Sequence, residues 1–168
     1  MPEEPEQPRR KRVPVNWDDL EMALTWRSDE LEYFLDLRSG EVRQYRPRAF
    51  ADDEEDFELP EDEADARLVE GSLVRIEPLE ASVEYGWMTE FTASVTNTRL
   101  RDRLEVALDG RGAFRRFKDV LAEYPTERER WFRFYDERVR KEMREWLEDH
   151  DIEPMTAPPE RREKMTSE

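Results

Sequence analysis

Four cations and two glycines stand together in the stretch GRGAFRRFK, residues 110–118. The planar guanidinium of arginine binds a phosphate or a carboxylate through two hydrogen bonds. A glycine-rich start to a helix also leaves backbone N–H groups free, and such groups attract anions. We therefore predict an anion-binding patch at this helix start, extended by arginines of the preceding helix. The predicted patch comprises Arg99, Arg103, Arg111, Gly112, Arg115, Arg116 and Lys118.

The same cations have a second interpretation, as salt-bridge partners of the acidic side chains around them. The stretch does not match a phosphate-binding P-loop, because a helix is predicted before Gly110 and no Ser or Thr follows the lysine. Phe114, Phe117 and Leu121 fall on one helical face. This spacing predicts that the aromatic rings are core residues rather than stacking platforms for nucleic-acid bases, so only the cations are left as contact residues.

Other catalytic or metal-binding groups are scarce. The chain has no cysteine, which excludes disulfides and thiolate chemistry, and its one histidine, His150, follows the last predicted helix. No G-x-S-x-G motif occurs. We therefore predict no catalytic residue, no metal ligand and no cofactor. A hydrolase that binds Mg²⁺ through clustered carboxylates is a further hypothesis, although among 44 acidic residues a carboxylate pair carries little information.

Asp36 is unusual for its place, because it lies within the predicted strand YFLDL and acidic residues are disfavoured in strands. Two interpretations are open. Asp36 can face a helix and pair with an arginine, or it can occupy a solvent-facing position of a half-exposed sheet.

The charge of this 168-residue chain is unevenly distributed around a net value of −16. Residues 52–65 contain ten Asp or Glu and no Lys or Arg, whereas residues 99–118 contain seven cations against three acids. Overall acidity disfavours unaided binding to nucleic acid, because phosphates are repelled at long range. No apolar run approaches the length of a membrane span. We expect a cytoplasmic protein that makes no membrane contact.

The periodicity of apolar residues predicts an α+β fold with strands before helices. Asn16 is a candidate N-cap for a first helix, and Ser39-Gly40 is typical of a hairpin turn, after which SLVRIEP predicts a third strand. The small antiparallel sheet is expected to pack against a C-terminal bundle of about four helices. The predicted helices span about 80–95, 99–108, 113–123 and 126–148.

The composition also predicts how the chain is organised. We expect one domain over residues 13–154, flanked by disordered tails at 1–12 and 155–168, which have little apolar surface to bury. The acidic segment at 51–66 is expected to be a mobile loop within that domain, for the same reason.

Five segments resemble a known bacterial group, the uncharacterised protein family one hundred and fifty-eight. In order along the chain they are VNWDDLEMAL, YFLDLRSGEV, EYGWMTEF, GRGAFRRFKDVLAEYP and WFRFYDERVRKEMREWLEDHDIEP. The resemblance covers about residues 13–154, and the block GAFRRFKD followed by WFRF is its most specific part. It implies no established activity and no catalytic residues.

These observations favour a non-enzymatic cytoplasmic binding or adaptor protein, whose basic patch contacts an acidic surface of a partner protein. The alternative is a nucleic-acid-associated regulator that uses the same cations on the phosphates of RNA or DNA. Salt dependence separates the two, because phosphate binding weakens steeply as salt rises. The oligomeric state is left open.

Overall fold

A computed structural model describes residues 10–45 and 61–159 of the chain. It confirms the α+β class. The elements are β1 (Lys11–Val13), α1 (Trp17–Thr25), β2 (Glu32–Asp36), β3 (Val42–Tyr45), α2 (Glu61–Glu70), β4 (Leu73–Ile76), α3 (Ala81–Ser94), α4 (Thr98–Ala107), α5 (Ala113–Ala122), α6 (Pro125–Asp149) and β5 (Ile152–Pro154).

The chain forms two compact units. The first contains the residues up to 78 together with those from 140 onward, and the second contains residues 79–139. The range 13–154, expected to form one domain, therefore contributes to both units. Helix α6 likewise contributes residues to each. None of the helices in the described ranges combines the length and the apolar character needed to span a bilayer.

The first unit is organised around the predicted hairpin and third strand, both of which are confirmed. The strand order is β3-β2-β4, and both pairings are antiparallel. The hairpin turns at Gly40, whose φ of 77° is favourable for glycine. The Gly40 amide donates to the Asp36 carbonyl at 2.7 Å, and the Gly40 carbonyl accepts from the Asn16 amide at 2.9 Å. The turn thus anchors the start of α1.

Helix α1 begins as the sequence predicts. The side chain of Asn16 accepts a hydrogen bond from the amide of Asp19, and Asp18 and Asp19 lie in the positively polarised first turn. Trp17, Leu20 and Leu24 are buried. Because these three buried residues share one face, α1 packs into the first unit through that face.

A short parallel pair, β1 with β5, joins the two ends of the described chain. The amide of Met155 donates to the carbonyl of Val13 at 2.9 Å, and Trp17 Nε1 donates to the carbonyl of Thr156 at 3.2 Å. The predicted tail boundaries were therefore wrong at residues 11–12 and at residues 155–156. Only Val13 and Ile152 are buried in these strands, so the sequence signal is short and the pairing is non-local. Residues 1–9 and 160–168 lie outside the described ranges.

The acidic segment at 51–66 was also predicted incorrectly in part. Residues 61–66 begin helix α2, whereas residues 51–60 lie outside the described ranges. One cation of this helix, Arg67, faces inward and is buried. Net charge alone does not decide whether a segment folds when a single side chain provides a buried anchor.

That anchor is an ion pair between α2 and the last residue of β2, the central strand of the sheet. Arg67 donates from two guanidinium nitrogens to the two carboxylate oxygens of Asp36, at 2.6 and 3.2 Å, and from Nε to the Ser72 hydroxyl at 3.1 Å. Asp36 is only 3% exposed and also accepts from the Arg38 amide at 2.9 Å. The arginine-pairing interpretation of Asp36 is therefore correct, and the solvent-facing one is wrong.

The environment of Asp36 favours its charged form. Burial by itself raises the pKa of this carboxyl, but the hydrogen bond and charge of Arg67 and the amide of Arg38 outweigh it and lower the pKa to about 2. The same contact raises the pKa of Arg67. Both partners are therefore ionised at neutral pH.

The second unit contains α3, α4, α5 and the first part of α6, and all four predicted C-terminal helices are confirmed. Its core is aromatic: Phe117 packs edge-on against Trp131 at 4.9 Å and against Phe91 at 6.2 Å between ring centroids. Phe91 and Phe117 are fully buried, whereas Phe114, which was predicted on the same face as Phe117, is only half-buried.

Candidate anion-binding surface

The loop between α4 and α5 positions the predicted cations. Gly110 and Gly112 both have positive φ, 80° and 75°, a conformation that other residues rarely adopt. Gly112 is the N-cap of α5, and no side chain caps that helix start. The first amides of α5 therefore lack a side-chain acceptor, as the sequence predicted.

Arg116 binds the chain's own backbone. Its Nε donates to the carbonyl of Ala107 at 3.1 Å, and its two terminal nitrogens donate to the carbonyls of Asp109 and Arg111. The last carbonyls of a helix lack intrahelical partners and carry the negative end of the dipole, so a guanidinium there stabilises both α4 and the loop. Arg116 thus holds the loop, and its contact with an external anion stays a prediction.

Arg103, a residue of α4, lies beside the C-terminal end of α5. It forms an ion pair with Glu123, and its guanidinium carbon lies 5.8 Å from the ring centre of Tyr124. The hydrogen bond to Glu123 raises the pKa of Arg103. Helices α4 and α5 run antiparallel across the short loop, so the start of α4 is beside the end of α5. Arg103, and with it Arg99 one turn earlier, is thus separated from the helix start at Gly112.

Besides Arg99, which is separated from this helix start, three of the predicted cations have no such partner among the described residues. Arg111, Arg115 and Lys118 are exposed, and their side chains form no ion pair or hydrogen bond with another residue in the ranges 10–45 and 61–159. We call these three residues the basic face. Arg115 and Lys118 lie roughly 100° and 160° around α5 from Arg116. Arg115 and Lys118 therefore point away from α4 and from the buried side of Phe117.

Two surface cavities flank α4. One, of about 480 Å³ between α4 and α5, is lined by both charge signs: Asp102, Arg103, Val106, Ala107, Arg116, Asp119 and Val120. The other, of about 620 Å³ between α3 and α4, is lined by three carboxylates and no cation: Tyr85, Asp102, Glu105, Val106, Leu108 and Asp109.

The three carboxylates of the second cavity were missed by sequence reasoning. We call Asp102, Glu105 and Asp109, together with Val106 between them, the acidic face. The signal was present for Asp102, Glu105 and Val106, because positions i, i+3 and i+4 of a helix share one side, whereas Asp109 lies beyond the end of α4. It was indistinct because 44 acidic residues produce many such spacings.

The comparisons with known proteins agree with this chain's motifs. The model of the Uncharacterised protein family (UPF0158) matches residues 14–161. The chain belongs to this family. It is similar to the UPF0158 protein PA5073 of Pseudomonas aeruginosa, with 34% identity over 143 residues that cover 84% of this chain and 87% of the relative. No solved structure is significantly similar to the chain. The resemblance noted from the sequence is thereby confirmed.

Proposed function

We propose that this protein is a non-catalytic binding protein that contacts an acidic surface of a partner protein through the basic face. The observation that carries the proposal is the contrast between paired and unpaired cations within one unit. Arg103, Arg130 and Arg138 form ion pairs with Glu123, Glu127 and Glu90. The three cations of the basic face stay exposed to solvent and are available to a partner.

The charge of the surrounding unit supports this proposal. Residues 79–139 contain eleven Arg or Lys and twelve Asp or Glu, a net charge of −1, whereas the rest of the chain carries −15. An approaching acidic surface therefore meets little repulsion from this unit at short range. The open start of α5 adds backbone donors that suit a carboxylate.

The single histidine, His150, is better explained as a structural residue than as a catalytic or metal-binding one. His150 Nδ1 lies 2.7 Å from the carbonyl of Trp146, to which it donates, and the two rings are 4.4 Å apart. This contact satisfies the end of α6. We propose that the protein acts in the cytoplasm, a reducing compartment that suits a chain without cysteine.

Charge reversal tests the proposal. Arg115→Glu with Lys118→Glu is compared with Arg133→Glu and Arg144→Glu, a pair of exposed cations on α6 that makes the same change in net charge. Fluorescence anisotropy measures binding to polyglutamate, single-stranded RNA and duplex DNA at roughly 50 and 200 mM salt. We expect the first variant to lose at least about tenfold in affinity for polyglutamate, and the control to match the wild type.

Two other outcomes are informative. Tighter binding of RNA or DNA than of polyglutamate, with a steep loss between the two salt concentrations, would favour the nucleic-acid alternative. Equal effects of the two variants on every probe would refute the proposal, because the basic face would then act only through net charge.

A further inference from the structure

The acidic face has the features of a contact surface. Val106, at the centre of this face, is 74% exposed, and Tyr85 beside the face is 41% exposed. The carboxylates of Asp102, Glu105 and Asp109 form no ion pair within the part of the chain that the structure describes. An exposed aliphatic side chain ringed by unpaired charges is the usual pattern of a small apolar centre with a polar rim.

The acidic face is complementary in charge to the basic face of the same unit, but Arg115 and Lys118 cannot reach it within one molecule. Arg116 and Arg103 fix α5 against α4, through the Ala107 carbonyl and through Glu123. In that arrangement Arg115 and Lys118 point away from α4. Each copy therefore presents Arg115 and Lys118, and the carboxylates of the acidic face, with no ion-pair partner among residues 10–45 and 61–159, and a second copy can bring the two surfaces together.

We propose that the protein forms a twofold homodimer in which the basic face of each copy contacts the acidic face of the other. The inference rests on the proposed function, since it names the acidic partner surface as the α4 surface of a second copy. In an isologous interface each contact occurs twice, so six cations meet six carboxylates. The near-neutral charge of residues 79–139 allows this approach, and salt screens the −15 carried elsewhere beyond about 10 Å at 0.1 M.

Charge-swap rescue tests the dimer. The first variant is Arg115→Glu with Lys118→Glu, and the second is Asp102→Lys with Glu105→Lys. Sedimentation velocity and light scattering report the mass of the full chain at concentrations into the hundreds of micromolar. We expect the wild type and the Arg133→Glu, Arg144→Glu control to dimerise. Each swapped variant alone should raise the dissociation constant roughly 100-fold, because like charges then face one another.

Mixing the two swapped variants gives the decisive measurement. Every contact in the mixed dimer again pairs opposite charges, so the mixture should recover the wild-type mass while each variant alone stays monomeric. Circular dichroism checks that each variant is folded. If a reversal unfolds the protein, the neutral variants Arg115→Gln with Lys118→Gln and Asp102→Asn with Glu105→Gln replace it, and each should weaken the dimer.

A monomeric wild type, or a dimer whose mass no swap or neutral variant alters, would overturn the inference. This failure is distinguishable from failure of the proposed function. A monomeric wild type whose polyglutamate binding still depends on Arg115 and Lys118 would leave the proposed function standing with another acidic partner.

Discussion

Breaking the ion pair between Asp36 and Arg67 should destabilise the first unit more than any surface substitution. Asp36→Asn keeps the size of the side chain but leaves the guanidinium of Arg67 buried without its counter-ion. Arg67 is 7% exposed, so water cannot replace the lost partner. Removing one member of a buried pair typically costs about 3–5 kcal/mol. We expect a loss of this size in the free energy of unfolding.

The pH dependence of the free energy of unfolding gives an independent value for how much this ion pair stabilises the protein. The fall in the pKa of Asp36 from 3.8 to about 2 corresponds to about 2 kcal/mol of stability. Because the folded pKa is the lower one, this stability is present above about pH 4 and is lost as the pH falls toward 2. Asp36→Asn should remove that dependence. The difference in stability between the wild type and the variant should therefore shrink by about 2 kcal/mol between pH 4 and pH 2.

Urea unfolding followed by circular dichroism measures both effects, and hydrogen exchange localises them to residues 61–76. Asp29→Asn, an exposed acid in the same unit, is the matched control and should cost less than about 0.5 kcal/mol. Arg67→Met combined with Asp36→Asn should cost less than the sum of the two single changes, since no buried charge is left unpaired. A loss below about 1 kcal/mol for Asp36→Asn, or an unchanged pH dependence, would refute the reasoning.

Two further substitutions test the packing of each unit. Phe117→Ala should cost about 3–5 kcal/mol because the ring is fully buried against Trp131, whereas Phe132→Ala, 38% exposed, should cost far less; similar losses in thermal or urea unfolding would contradict the described core. Gly40→Ala should cost more than about 2 kcal/mol, since its Cβ would lie 1.8 Å from the Pro14 carbonyl oxygen at a φ of 77°. Gly86→Ala, in the open interior of α3, should instead stabilise by about 0.5–1 kcal/mol, and a stabilising Gly40→Ala would show that the turn differs from the one described.

Local physical chemistry was enough to predict several elements from the sequence. The cap at Asn16 and the turn at Gly40 depend on neighbouring residues only, and both were predicted correctly. The four C-terminal helices have long apolar stripes, so they can be predicted from the sequence without knowing which residues they pack against. The family resemblance was recognisable for the same reason, because its motifs are contiguous segments.

The elements that were missed depend on residues far apart in the chain. Strand β1 is held by β5, about 140 residues later, and neither is longer than three residues. Helix α2 follows a strongly acidic run and is tied to the sheet by Arg67, whose partner Asp36 precedes it by 31 residues. Composition describes a segment only on average, whereas a single buried ion pair determines whether the segment folds as a helix.

The candidate surface divides in the same way. Sequence alone determined that cations and glycines gather at one helix start, and that the ring of Phe117 there points inward. Only the tertiary structure decided which cations are available. Arg116 is bound to the backbone of α4 and Arg103 is paired with Glu123, whereas Arg111, Arg115 and Lys118 stay exposed. The physical reason is that a charge is neutralised by what lies within a few ångströms of it, and the antiparallel approach of α4 and α5 sets those distances.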